Sequence, residues 1–382
     1  MFSLGFIVAI VVVVGIVIAL ALRREETTAK KSAGAPKTAE REIGELTDHS
    51  PSKRLTCFPT CNPLTGEALK FDSKCDEAAL RKADLPVAGT IDDLARVMGI
   101  ESGELRWLMS EDANHYTPIE LKGRGKRRLV FAPKFKMKAC QRWILKNILD
   151  KMQPHPAAEG FRKGRSVLTH AKKHAGKYAV GSLDIHRFFD TVRSKRVFGV
   201  YRKMGYSEEA ALALCLLTTR KGRLPQGAPT SPALANLVCR RMDARLEGIS
   251  RKLGATYSRY ADDMAFSGDK EFAKNWGRFR DVARKILKDE GFRLNPLKVH
   301  FMRSGSRQYV TGLVINKKPN IPRERLRLMR SILHNAKATG LDAQNRSGNP
   351  GWKERLRGQI SYISMIRPDR GQRLMTAFGQ LN

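Results

Sequence analysis

Acidic residues are scarce in this chain. Asp and Glu number 37 against 71 Lys and Arg, a formal net charge of +34. That deficit excludes a small neutral molecule as the only partner and suits a polyanion, either nucleic acid or an anionic membrane surface. Cysteine is also sparse: six in 382 residues cannot form a disulfide framework, so a reduced, cytoplasmic setting is expected for the bulk of the protein. Cys57, Cys61 and Cys75 lack a fourth ligand at zinc-finger spacing and read as three unpaired thiols. No internal repeat is visible. With 42% hydrophobic residues the chain can bury a sizeable core, which excludes general disorder.

Charge is missing altogether from Met1–Leu22, where Phe6–Leu22 is nearly all Val, Ile, Leu, Ala and Gly. About twenty such residues span a bilayer core. No Lys or Arg precedes the run, as a cleavable signal would want, and Arg23, Arg24, Lys30 and Lys31 follow it. The sequence therefore predicts one transmembrane helix over 1–22 with the remainder on the cytoplasmic side of a bacterial inner membrane; an over-extended gene start is the alternative. Residues 23–55 read as a flexible linker and 56–114 as a helical extension.

Within that extension Thr90 can cap a helix running to Gly99, with Asp92 and Asp93 at its positive end. A second short helix is expected near Ser102–Met109. The two form either a DNA-reading helix-turn-helix or a plain helical hairpin. From Tyr116 short β runs alternate with helices: a hairpin with a basic Gly-Arg-Gly-Lys tip, helices over Lys136–Met152, Ser207–Thr219, Pro232–Lys252 and Val282–Glu290, and strands at Val180–Asp184 and Tyr309–Val314. The pattern predicts an α+β domain with an antiparallel sheet.

Two carboxylate sites stand out. Asp184 ends an apolar strand and precedes Phe188-Phe189; Asp262 and Asp263 sit between two β runs, where a tight turn would present them together. An Asp-Asp pair is usually an ordinary turn, but repulsion between adjacent carboxylates is also relieved by a bound dication. Between the sites lies Leu224-Pro225-Gln226-Gly227-Ala228-Pro229-Thr230-Ser231-Pro232, a fixed loop opening a helix. Gly160-Phe161-Arg162-Lys163-Gly164-Arg165-Ser166 lies upstream, and Leu294-Asn295-Pro296-Leu297-Lys298 downstream.

In this order the blocks resemble the fingers and palm of reverse transcriptases, from about Thr90 to Asn316, with Tyr260-Ala261-Asp262-Asp263 similar to the family's catalytic hairpin. Val310-Thr311-Gly312, His115-Tyr116, Gly125-Lys126-Arg127-Arg128 and Ala132-Pro133 are similar to retron enzymes in particular. His170-Ala171-Lys172-Lys173-His174 stands where that group carries Asn-Ala-x-x-His. The resemblance implies a right-hand polymerase: fingers and palm over 115–316 and a small, basic, RNA-binding helical thumb over 317–382. It implies Asp184, Asp262 and Asp263 as catalytic ligands of two Mg²⁺ ions, because nucleotidyl transfer needs hard oxygen donors.

By position in the family motifs, Phe189 would exclude a ribose 2′-OH; core packing is the ordinary role for Phe188 and Phe189, and one of the two is expected to do only that. Gln226 and Gly227 would floor the nucleotide pocket, and Arg128, with Lys126, would meet the triphosphate. Lys298 would assist the leaving pyrophosphate. Arg162, Lys163 and Arg165, followed by His174, would hold template backbone, where cations add affinity but little sequence choice. Arg355, Arg357 and Arg367 lie on Arg-rich segments that would grip RNA by shape and phosphates.

The implied partners are a structured noncoding RNA serving as template and primer, its DNA product, deoxynucleotides and a retron effector protein; the implied role is defence against phage. Two alternatives remain at this stage. An inactive polymerase fold is opposed by the intact carboxylate set. A group II intron enzyme would add maturase and nuclease regions, for which the stretch after Val314 leaves little space.

Overall fold

The structure is a computed structural model that describes residues 71–110, 114–123, 126–346 and 348–381. The expected anchor over 1–22, the linker and Cys57 and Cys61 lie outside those residues. The single-pass membrane placement is corrected: among the described residues no helix is long and apolar enough to cross a membrane. The described chain divides into two compact units, one ending at Leu328 and the other beginning at Met329.

The larger unit opens with α1 (Glu77–Lys82), α2 (Ile91–Met98) and α3 (Ser102–Met109). Thr90 caps α2 as its sequence requires: its hydroxyl accepts the Asp93 amide while the Asp93 carboxylate accepts the Thr90 amide, and Gly99 ends the helix at φ 69°. Strands β1 (Tyr116–Gly123) and β2 (Lys126–Pro133) form the basic-tipped hairpin, with Leu121 opposite Arg128. Helix α4 (Phe135–Asn147) follows and ends five residues before the expected Met152, where the chain tightens into a 3₁₀ turn over Leu149–Lys151.

The centre of this unit is a four-stranded antiparallel sheet in the order β4-β5-β3-β6, formed by β3 (Ala179–Asp184), β4 (Thr256–Tyr260), β5 (Asp263–Gly268) and β6 (His300–Arg303). Alternation along the strands gives it two unlike faces. Gly181, Leu183, Met264, Phe266 and Tyr257 face the core; Ser182, Asp184, Asp263, Ser258 and Ser267 face the other way.

On the core face lies α11 (Lys270–Asp289), whose Phe272, Trp276 and Phe279 recur at helical spacing; Trp276 and Phe279 pack against Phe266, and Trp276 also stacks on Phe301. Burying each such ring contributes about 1.5–3 kcal/mol. Polar residues such as Asn275 and charges interrupt the first half of this helix, so its sequence shows a clear period only from Val282. On the polar face α5 (Val167–His174) sets the His174 ring between the hydroxyls of Ser258 and Ser267, each 2.7 Å away.

Between β3 and β4 run α6 (Phe188–Thr191), α7 (Ser194–Met204), α8 (Glu208–Thr218), α9 (Ser231–Val238) and α10 (Arg240–Lys252). The single long helix expected over Pro232–Lys252 is two, divided at Cys239. The strand expected at Tyr309–Val314 is a tight hairpin, β7 (Tyr309–Val310) and β8 (Leu313–Val314), because Thr311 and Gly312 both take positive φ. The boundary between the units falls inside α12 (Arg323–Ala343), which is kinked at Gly340.

The smaller unit contains the rest of α12 with α13 (Trp352–Ile366) and α14 (Pro368–Gly379). Leu356, Ile360 and Ile363 bury one stripe of α13, while Arg355 and Arg357 are exposed on the same helix. Gly371 allows α14 to sit on Ser364, since an added Cβ would lie 2.1 Å from its hydroxyl.

Candidate active site

Asp184 is the last residue of β3 and stands opposite Asp263, the first of β5. Asp262 precedes it in the two-residue turn that joins β4 to β5. The Ile185 amide donates to the Asp262 carbonyl at 3.0 Å, and the Asn295 amide to the Asp184 carbonyl at 2.8 Å. The three carboxylates, with Arg128, Lys298, Ser182 and His300, line one open cleft of about 380 Å³.

The cleft compensates these charges only in part. Lys298 Nζ lies 2.6 Å from Asp184 Oδ2, and Asn295 Nδ2 donates to Oδ1 at 3.0 Å. Ser182 donates to Asp263 at 3.0 Å. Burial, followed by the charges of Asp262 and Asp184, pushes the Asp263 carboxyl up to about 6 against the Ser182 hydrogen bond. Burial also raises Asp262, with the charge of Asp184 adding to it.

The donor set is hard oxygen, which suits Mg²⁺. Among the described residues no group of three His, Cys, Asp or Glu side chains forms a ready-made metal cage.

The turn carrying Asp262 is held from below by a group the sequence reading missed. Ala261 takes φ 58°, a conformation costly for a residue with a Cβ. Arg259, fully buried, donates to the Ala261 carbonyl at 2.9 Å and forms a two-pronged ion pair with buried Asp243 at 2.8 and 2.7 Å. Tyr257 adds a third bond to Asp243 at 2.8 Å. An arginine inside a β run beside the acidic turn was the available signal, but its partner lies on α10, sixteen residues away.

Gly160 lets the next block approach: a Cβ there would lie 2.8 Å from the Ala261 amide nitrogen. Phe161 then faces both Phe189 and Tyr260, with ring centroids 6.2 and 6.4 Å apart.

The other candidate residues separate clearly. Phe188 is buried against Phe292, whereas Phe189 is half-buried. Phe131 donates its amide to the Gln226 carbonyl at 2.7 Å, joining the fingers hairpin to the loop. Gly227, at φ 110°, has no room for a Cβ, which would meet the Phe131 carbonyl at 2.9 Å. Lys126 opens β2, and its side chain lies outside what the structure describes.

Lys163 and Arg165 are exposed; Arg165 lies 3.5 Å from buried Glu159, and Arg162 donates to the His155 and Ala158 carbonyls. His174 is corrected: it is fully buried between two serine hydroxyls and offers no surface to a nucleic acid. Burial holds it neutral, far below the usual histidine range. Arg355 and Arg357 are exposed, while Arg367 is held by Asp369 at 2.8 Å.

Three aspartates at the ends of adjacent strands share one cleft with basic Arg128 and Lys298, and comparison with known proteins fixes the class of the chain. Residues 119–333 match the family described as reverse transcriptase (RNA-dependent DNA polymerase). The retron Mx162 reverse transcriptase of Myxococcus xanthus is 33% identical, over 81% of this chain and 71% of that protein. Retron Mx65 reverse transcriptase of the same organism is 36% identical over 78% and 73%, and the Escherichia coli retron Ec86 enzyme is 34% identical over 79% and 92%. The chain belongs to the retron-type reverse transcriptases, and its activity is RNA-directed DNA polymerisation.

Proposed function

We propose that this enzyme copies part of a dedicated, structured noncoding RNA into short single-stranded DNA that stays with its template, in a system that serves defence against phage. The observation that carries the reading of its chemistry is the convergence of Asp184, Asp262 and Asp263 with Arg128 and Lys298 on one cleft.

Asp184 and Asp262 are the residues that would hold two Mg²⁺ ions, with Asp263 as a more distant ligand or electrostatic support. Bound there, the ions would lower the barrier to attack of the primer hydroxyl on the α-phosphate and neutralise the leaving oxygens. The protein supplies the rest. Arg128, exposed on β2 above the carboxylates, orients the triphosphate, with Lys126 beside it at the hairpin tip. Phe189 closes the sugar side against a 2′-OH, so deoxynucleotides are selected. Gln226 and Gly227 form the floor beneath the base and sugar, fixed to β2 through Phe131. Lys298 pairs with Asp184 before substrate arrives, and it is placed to turn toward the pyrophosphate as charge develops there.

Arg162, Lys163 and Arg165 are assigned to the template backbone, and Arg355 and Arg357, with Arg367 behind them, to the structured RNA. Purifying the enzyme from its host and sequencing the nucleic acid that accompanies it tests the reading. One RNA species with complementary short DNA is expected; a random RNA mixture without DNA would overturn it.

A further inference from the structure

The turn that leads into the pocket floor carries a row of arginines with no part in the site described above. Arg220-Lys221-Gly222-Arg223 closes a two-residue hairpin turn: the Arg220 amide donates to the Arg223 carbonyl at 2.8 Å, and the Arg223 amide to the Arg220 carbonyl at 3.1 Å. Lys221 at φ 47° and Gly222 at φ 71° give the turn its left-handed pair. A third segment is stitched alongside. The Ser194 amide donates to the Gly222 carbonyl at 2.8 Å and the Leu224 amide to the Val192 carbonyl at 3.2 Å, so Arg193 stands opposite Arg223. Residues directly opposite on paired segments share a face. Arg193, Arg223 and Arg220 therefore form one row across three segments.

Like charges in such positions oppose each other, and acids normally relieve them. Here, among the described residues, none of the three is in an ion pair, nor are Lys195 and Lys221 beside them. The neighbouring acid, Asp190, is taken by Arg187 at 3.1 Å. Arg193 and Arg223 are exposed, and the Arg220 guanidinium rests 3.9 Å from the Phe131 ring centroid. At about 4.8 Å between adjacent segments the row spans about 10 Å. It is also continuous with the pocket floor. Arg223 is followed directly by Leu224-Pro225-Gln226-Gly227, and the Phe131 on which Arg220 rests is hydrogen-bonded to Gln226.

We propose that this row holds the phosphates of single-stranded template RNA on its way to the cleft. The proposal rests on the reading that RNA is copied there. The test uses the full chain and two RNA hairpins, one blunt and one with a ten-nucleotide 5′ overhang, with binding measured by fluorescence anisotropy across a salt series. In Arg193→Ala/Arg223→Ala the slope of log K against log salt should fall by about 1.4 on the overhang RNA, at about 0.7 per phosphate contact on a single strand. The slope on the blunt hairpin should not change. Arg193→Lys/Arg223→Lys, which keeps the charge, should retain the parental slope.

An unchanged overhang slope would mean a solvated surface and overturn the proposal. An equal fall on both RNAs would give the row to structured RNA and overturn it too, as would a lysine variant that behaves like the alanine one. Primer extension by the unaltered protein separates this from the polymerase reading. A protein that binds overhang RNA through this row yet never extends a primer would sink that reading alone.

Discussion

In the cleft, three carboxylates are gathered where Lys298 and Asn295 answer Asp184 and Ser182 answers Asp263. In the row on the approach to it, Arg193, Arg220 and Arg223 are gathered with no acid among the described residues to answer them. The cleft is partly buried, so repulsion there is expensive and the fold supplies partners and raises the pKa of what remains. The row is largely exposed, where water and salt screen the charges until a polyanion displaces the counterions. Like charges assembled under burial mark chemistry, and like charges assembled in solvent mark affinity.

Replacing a cleft carboxylate should have the largest effect. Asp262→Asn or Asp184→Asn is expected to reduce Mg²⁺-dependent primer extension about a thousandfold or more, equivalent to about 4 kcal/mol, while RNA binding stays within about twofold. Near-parental extension by either variant would remove the contrast between the two regions. Removing the support under the turn comes next. Asp243→Ala leaves Arg259 buried and unpaired and should lower stability by about 3–5 kcal/mol, read as a shifted denaturant midpoint with unchanged m-value.

A smaller effect tests the burial of the acids. Asp263 has its pKa raised to about 6 in the fold, against an ordinary value of 3.8. The stability it contributes is therefore present below the ordinary value and lost as pH rises through about 6. Metal-free protein should melt lower at pH 7.5 than at pH 5.5 on account of this group, by about 2–4 °C, and Asp263→Asn should remove that component of the difference. A melting curve on the variant that kept the same pH difference would place its origin elsewhere.

The smallest effects concern single cations. Lys298→Met takes a positive charge from 2.6 Å beside Asp184, so Mn²⁺ followed by electron paramagnetic resonance should bind severalfold tighter. Unchanged affinity would mean that the pairing is incidental. Replacing exposed Arg355 and Arg357 with Ala should flatten the salt dependence of structured-RNA binding by up to about two ions. Adding Arg367→Ala should change little more, because Asp369 already holds that side chain.

What the sequence revealed was local. The Thr90 cap, the basic hairpin ending near Pro133 and the two-residue turn at Asp262 each follow from residues a few positions apart, and each is present. The carboxylate trio also emerged, because its strands carry alternating apolar positions and its motif order is that of the family.

Features built from distant partners did not emerge. Nothing near Lys298 announces an ion pair with Asp184, 114 residues away. Arg193 and Arg223 become neighbours only through hydrogen bonds between segments thirty residues apart. His174 reads as one more cation in a basic stretch, and only the packing of α5 on the sheet shows that it is sealed from solvent. The break at Cys239 has no proline or glycine to mark it, and the apolar period continues across it.

The amide bonds at the end of β3 have a further consequence. Asp184 and Asp262 are tied by a main-chain contact, the Ile185 amide to the Asp262 carbonyl, with the turn braced from beneath by Arg259. The spacing of these two carboxylates is thus a dimension of the peptide itself, as fixed as the pitch of a screw thread. Sequence drift in the surrounding pocket can change what is copied, how tightly and in what order. It cannot easily change the gauge on which the chemistry runs.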